Sequence, residues 1–81
     1  MSTSLKILVV RFSSIGDIVL TTPVVRILKT HKNAEVHFLT KREYSSLMEN
    51  NPYIDKIHLI NNSVYEVKDQ LFSEKFDYII D

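Results

Sequence analysis

Four short runs of aliphatic and β-branched residues, "KILVVRF", "AEVHFLT", "DKIHLI" and "FDYIID", alternate with three segments of helical spacing, and that alternation limits the fold more than any other feature of the chain. Lys6 to Phe12 is apolar almost without interruption, which suits a strand buried on both faces of a parallel sheet. Between Ile18 and Lys29, Leu20, Val24, Ile27 and Leu28 recur at helical intervals. Pro23 allows two starts for this helix: Thr22 as N-cap with proline in the first turn, or a start near Asp17 with a bend at the proline. We favour the second. In Ala34 to Thr40, Val36 and Phe38 or Leu39 alternate with polar neighbours as in a second strand, and "REYSSLMENN" then places Tyr44, Leu47 and Met48 on one helical face. Asp55 to Ile60 reads as a third strand. After Ser63, a candidate N-cap, Val64, Val67 and Leu71 mark a third helix, and Phe76 to Asp81 closes as a fourth strand. The order βαβαβαβ implies an α/β fold: a parallel, Rossmann-like sheet with right-handed crossovers and strand order 3-2-1-4.

At 81 residues the chain has room for one small core, so its stability should be marginal. A parallel sheet is normally covered on both faces, yet no helix follows the last strand, and we expect residues 1–81 to be the start of a longer doubly wound domain. Strand four would then be an edge. "FDYII" is apolar, lacks proline and has Asp77 as its only guard, so the isolated chain is expected to self-associate.

Lysine plus arginine and aspartate plus glutamate both number 10, which gives no reason to expect nucleic acid as a partner. The charge is unevenly spread. Residues 1–42 hold seven cations against Asp17 and Glu35, so basic side chains are concentrated in the first half. Lys41 and Arg42, just after strand two, are candidates to meet phosphates, although scattered cations are more often simply solvated. The chain has no cysteine, and His31, His37 and His58 stand apart without ligand spacing, so we expect no metal site and no metal cofactor. The apolar run near the start is too short for a signal core or a membrane span, which points to the cytoplasm.

The only glycine is Gly16, in "SSIGD", the stretch that follows strand one and precedes the first helix. In an open parallel sheet this loop lies at the carboxyl ends of the strands, where ligands bind. Glycine lets backbone approach a ligand, and serine hydroxyls can hold a sugar or phosphate oxygen. Asp17 is the reactive candidate, because the helix dipole favours its ionised, proton-accepting form. Aspartate is also among the best N-caps, so the residues alone leave both roles open. One glycine excludes the three-glycine dinucleotide fingerprint, and the loop lacks the lysine of a Walker loop.

"ILVVRFSSIGDIVLTTPVVRIL", then "VHFLTKREYSSLMENNPYIDKI", then "FDYIID" resembles, in order and spacing, the amino-terminal part of the bacterial heptosyltransferases, glycosyltransferase family 9. The resemblance covers nearly the whole chain. It implies the beginning of the acceptor-side domain of a two-domain GT-B enzyme, whose carboxy-terminal domain holds the nucleotide sugar. The implied reaction is inverting, metal-independent transfer of heptose or a related sugar from a donor, ADP-heptose, to lipopolysaccharide core or a similar surface glycan. By the same resemblance Asp17 is the base that deprotonates the acceptor hydroxyl, and Ser13, Ser14 and Gly16 line the acceptor cleft. The implied partners are a glycan or glycolipid acceptor, a donor held through the second domain, and peripheral contact with the inner face of the inner membrane. The isolated chain should then be inactive. The alternative is a non-catalytic α/β binding or receiver-like module, but "FSSIGD" lacks the acidic pair that a receiver places after strand one.

Overall fold

The computed structural model describes residues 5–12, 22–31 and 33–80 of the chain. Four parallel strands, β1 (Lys6–Val10), β2 (Glu35–Lys41), β3 (Lys56–Ile60) and β4 (Tyr78–Ile80), form one sheet in the order β3-β2-β1-β4. The expected strand order is therefore the observed one. Lys6 pairs with Glu35, Ile7 with Tyr78 and His37 with Lys56, which aligns the strand starts along one edge. Among the described residues three helices lie between the strands: α1 (Thr22–His31), α2 (Ser45–Met48) after a 3-10 turn at Arg42–Tyr44, and α3 (Lys68–Glu74) after a 3-10 turn at Val64–Val67.

The strand interiors of β1 and β2 are buried on both faces, as their composition demands. One face packs Ile7, Val9, Val36 and Phe38 against Val25 of α1 and Met48 of α2. The other packs Leu8, Leu39 and Ile60 against Val67, with Phe12, Leu71 and Phe76 beside them. Consecutive β1 residues thus feed opposite cores, which an alternating half-buried strand cannot do.

Several boundaries and faces differ from expectation. β1 stops at Val10, although Arg11 N–H still donates to Leu39 C=O at 3.1 Å. β4 begins two residues late because Phe76 turns into the core and the Asp77 carboxylate accepts the Lys6 N–H at 2.8 Å. The second helix is shorter than its sequence pattern and ends at Met48. In α1, Val25 is wholly buried and Leu28 packs beside it, while Val24 and Ile27 are 44% and 54% exposed. The apolar face is therefore turned by one residue from the expected one, since the sheet contacts Val25. Whether this helix starts near Asp17 lies outside the described residues.

The third crossover follows its sequence signals. Ser63 caps the turn at Val64–Val67, its hydroxyl accepting the Tyr65 N–H at 3.2 Å, and Glu66 returns to the Ser63 N–H at 2.9 Å in a capping box. Lys75, with φ 57°, then ends α3 in the left-handed conformation and its N–H donates to Phe72 C=O. β4 lies at the sheet edge, and its three residues Tyr78, Ile79 and Ile80 are all exposed.

Candidate functional site

The carboxyl edge is where a parallel sheet opens to ligands, and its architecture here is set by the crossovers. The β1-to-β2 connection puts α1 on one face, whereas the connection from β3 to β4 puts α3 on the other. The direction of winding therefore reverses between β1 and β4, and the crevice of an open α/β sheet lies at that reversal. Residues 11 and 12 leave β1 there. The sequence candidates Ser13, Ser14, Gly16 and Asp17, which follow directly, lie outside the described residues.

Around this edge stand Arg11, Lys41 and Arg42. Among the described residues none of them forms an ion pair with a carboxylate. Arg42 instead donates through Nε to Asn61 Oδ1 at 3.1 Å, which ties the ends of β2 and β3. The β3 loop is held by Glu66, whose carboxylate accepts the N–H groups of Asn61, Asn62 and Ser63 at 2.8, 2.7 and 2.9 Å. These bonds, Asn61 first, hold its carboxyl below the usual range. The result is a loop that is rigid by hydrogen bonding and a rim that is cationic.

"NPYID" proves to have a structural task. Asn51 Oδ1 accepts the Tyr53 N–H at 2.8 Å in a side-chain turn, and this delivers Asp55 to the start of β3. Asp55 accepts the Val36 N–H at 2.7 Å and Lys29 Nζ at 2.7 and 2.8 Å, so one carboxylate fastens α1, β2 and β3 together. Burial pushes this carboxyl up, but the bonds from Lys29 and Val36 outweigh it and lower it overall.

The amino half of the sheet holds a cluster that sequence spacing missed. His37 and His58, 2% and 0% exposed, lie on neighbouring strands with Nδ1 of the first 2.9 Å from Nε2 of the second. His37 Nε2 contacts Glu35 Oε2 at 2.6 Å, Gln70 of α3 contacts His58 Nδ1, and the ring edge of Phe76 covers both imidazoles. One proton arrangement satisfies the whole chain: Gln70 Nε2–H donates to His58, His58 Nε2–H donates to His37, and His37 Nε2–H donates to Glu35. Both imidazoles are then neutral. Burial first, then the proximity of His37 and the Lys56 charge, push His58 down to about 4. Beside them Glu74 bridges Lys6 at 2.8 Å and Lys56 at 3.0 Å, and these bonds hold its carboxyl down to about 2. The expectation that the histidines stand apart thus fails for two of the three. They are 21 residues apart in sequence and only strand register brings them together.

The described residues form a parallel α/β unit whose open carboxyl edge is cationic. No family profile matches the chain. It is 30% identical over 57 residues to "Lipopolysaccharide heptosyltransferase 1" of Campylobacter coli, a match that covers 69% of this chain and 17% of that protein. Its structure superposes with a TM-score of 0.81 on "The crystal structure of the glycosyl transferase family 9 from Veillonella parvula DSM 2008", at 24% identity, covering 98% of this chain and 26% of that one. The chain is thus similar in sequence to part of a heptosyltransferase and in fold to part of a family 9 glycosyltransferase, and it spans a minor part of the length of both.

Proposed function

We propose that these residues form the acceptor-side part of a two-domain, GT-B glycosyltransferase that moves heptose from ADP-heptose onto lipopolysaccharide core or a similar bacterial glycan. The observation that supports this reading is the winding reversal beside β1, the strand after which Ser13, Ser14, Gly16 and Asp17 follow in sequence. The relationship to a heptosyltransferase supports the choice of sugar.

In this reading Asp17 takes the proton of the acceptor hydroxyl as its oxygen attacks the anomeric carbon. The bond from that carbon to the donor diphosphate breaks, the diphosphate leaves with the electron pair, and the anomeric centre inverts. Ser13 and Ser14 orient the acceptor through their hydroxyls, and Gly16 lets the backbone come close. Arg11, Lys41 and Arg42 suit a phosphorylated acceptor, since among the described residues no carboxylate pairs with them. The leaving diphosphate is met by a second domain, and transfer needs no metal. In this reading the reaction takes place in the cytoplasm, at the inner face of the inner membrane.

The test supplies the full-length enzyme with ADP-heptose and a heptose-deficient lipopolysaccharide core, and follows the acceptor's mass. One added heptose supports the reading. Transfer of a different sugar, from a different nucleotide, replaces the donor while keeping the class, and no transfer from any nucleotide sugar overturns it. The 81-residue chain alone should neither transfer nor bind ADP at micromolar concentration in a calorimetric titration, because one loop lacks the convergent contacts of a nucleotide site.

A further inference from the structure

The transferase reading uses the carboxyl edge and leaves the cluster in the amino half of the sheet without a task. Its ligand atoms are unusually well placed for a second one. One nitrogen of His37, one of His58 and a carboxylate oxygen of Glu74 all lie within 4.8 Å of one another. The two imidazole planes are only 18° apart, and their facing nitrogens, Nδ1 and Nε2, are 2.9 Å from each other. Tetrahedral zinc with two imidazoles at 2.0–2.1 Å separates such nitrogens by about 3.3 Å, so the pair needs to open by roughly 0.4 Å.

The outer nitrogens are already held. His37 Nε2 rests on the Glu35 carboxylate and His58 Nδ1 on the Gln70 amide, the arrangement by which metal-bound histidines are fixed in tautomer and angle. We propose that His37 Nδ1, His58 Nε2 and the Glu74 carboxylate form a binding site for a zinc-class divalent cation, structural in role and separate from sugar transfer.

Loading the site takes one tautomer change and one exchange of cations. The His58 proton moves from Nε2 to Nδ1, and the Gln70 amide turns so that its carbonyl accepts it. The ion replaces Lys56 at Glu74 Oε2, while Lys6 keeps Oε1. Lys56, whose side chain is 51% exposed, passes to solvent still protonated. Glu74 and Gln70 both belong to α3, so the ion would join α3 to β2 and β3. In a domain this small such a link raises the melting temperature directly.

The test titrates the metal-stripped 81-residue chain with Co(II) alone, reads the visible ligand-field bands, and then displaces Co(II) with Zn(II). One ion per chain and a higher melting temperature are expected. Glu35→Gln should weaken binding about 10- to 100-fold, as loss of an outer partner does, and His58→Asn should abolish it. Because the histidine variants can unfold, nitrogen-15 correlation of the imidazoles in the unaltered chain decides independently. Zn(II) should move the ring nitrogens of His37 and His58 and leave those of His31 in place. No binding up to about 100 μM Zn(II), or shifts confined to His31, overturns the site and leaves the histidines a hydrogen-bonded pair only.

Discussion

The two ends of one sheet solve opposite problems. At the amino edge polar side chains pair with one another: Lys6 and Lys56 with Glu74, Lys29 with Asp55, and His37 with Glu35. The lysine contacts join separate parts of the fold, and together they fasten α1 and α3 to the sheet, whereas His37 and Glu35 pair within β2. At the carboxyl edge Arg11, Lys41 and Arg42 find no carboxylate among the described residues, and Glu66 binds backbone amides rather than cations. The lesson is a division of labour. Side chains that complete their partners within the fold fasten it, and the rim cations are left without a carboxylate among the described residues.

The largest expected effect breaks the comparison at the carboxyl edge. Asp17→Asn in the full-length enzyme should lower turnover by about 10² to 10⁴ while donor affinity changes only a few fold. Steady-state kinetics with a folding control reads both. Normal turnover would make Asp17 a helix cap and leave the carboxyl edge without a base.

At the amino edge the expected effect is on stability. His58 titrates near 4 in the folded chain against about 6.5 unfolded, so the unfolded state binds more protons between those values. Stability is therefore fully present above about pH 6.5 and falls as pH drops toward 4, by the order of 2–3 kcal/mol. The lowered carboxyls of Glu74, Asp55 and Glu66 give way only at more acid pH. Urea unfolding in metal-free buffer at several pH values tests this. A flat profile from pH 7 to 5 would show that His58 is not held in its neutral form by burial.

A smaller effect sharpens the cationic rim. Replacing Lys41 and Arg42 together by alanine in the full-length enzyme should raise KM for a phosphorylated acceptor about tenfold with kcat nearly unchanged. An equal KM for phosphorylated and dephosphorylated acceptors in the unaltered enzyme would remove the phosphate from the reading. Smaller still, Ser63→Ala should cost about 1 kcal/mol in chemical denaturation by removing the cap that orders the β3 loop. The least effect concerns a third region, the exposed β4 edge. Melting temperature of the 81-residue chain should rise by a few degrees between about 10 and 500 μM as copies associate, with light scattering showing the mass increase. A strict monomer with a constant melt would mean that the edge protects itself.

Much of this fold was legible in the residues because the information is local. Uninterrupted β-branched runs cannot be half-buried strands, so "KILVV" had to lie inside a covered parallel sheet. Ser63 followed by Glu66 satisfies the free amides of a helix start from within four residues. The candidate transfer loop rests on the sequence alone, because Ser13, Ser14, Gly16 and Asp17 lie outside the described residues.

What only the tertiary structure decided depends on register and on which neighbour arrives. Spacing cannot tell that Val25 rather than Val24 meets the sheet, because a 10-residue helix with several apolar positions can rotate by one residue and still bury some of them. It cannot tell that Asp55 fastens three elements, because its partners Lys29 and Val36 come from earlier in the chain. Nor can it pair His37 with His58, which a shift of β3 by one residue would turn to opposite faces of the sheet. Local chemistry chose the elements; long-range register chose which polar groups met.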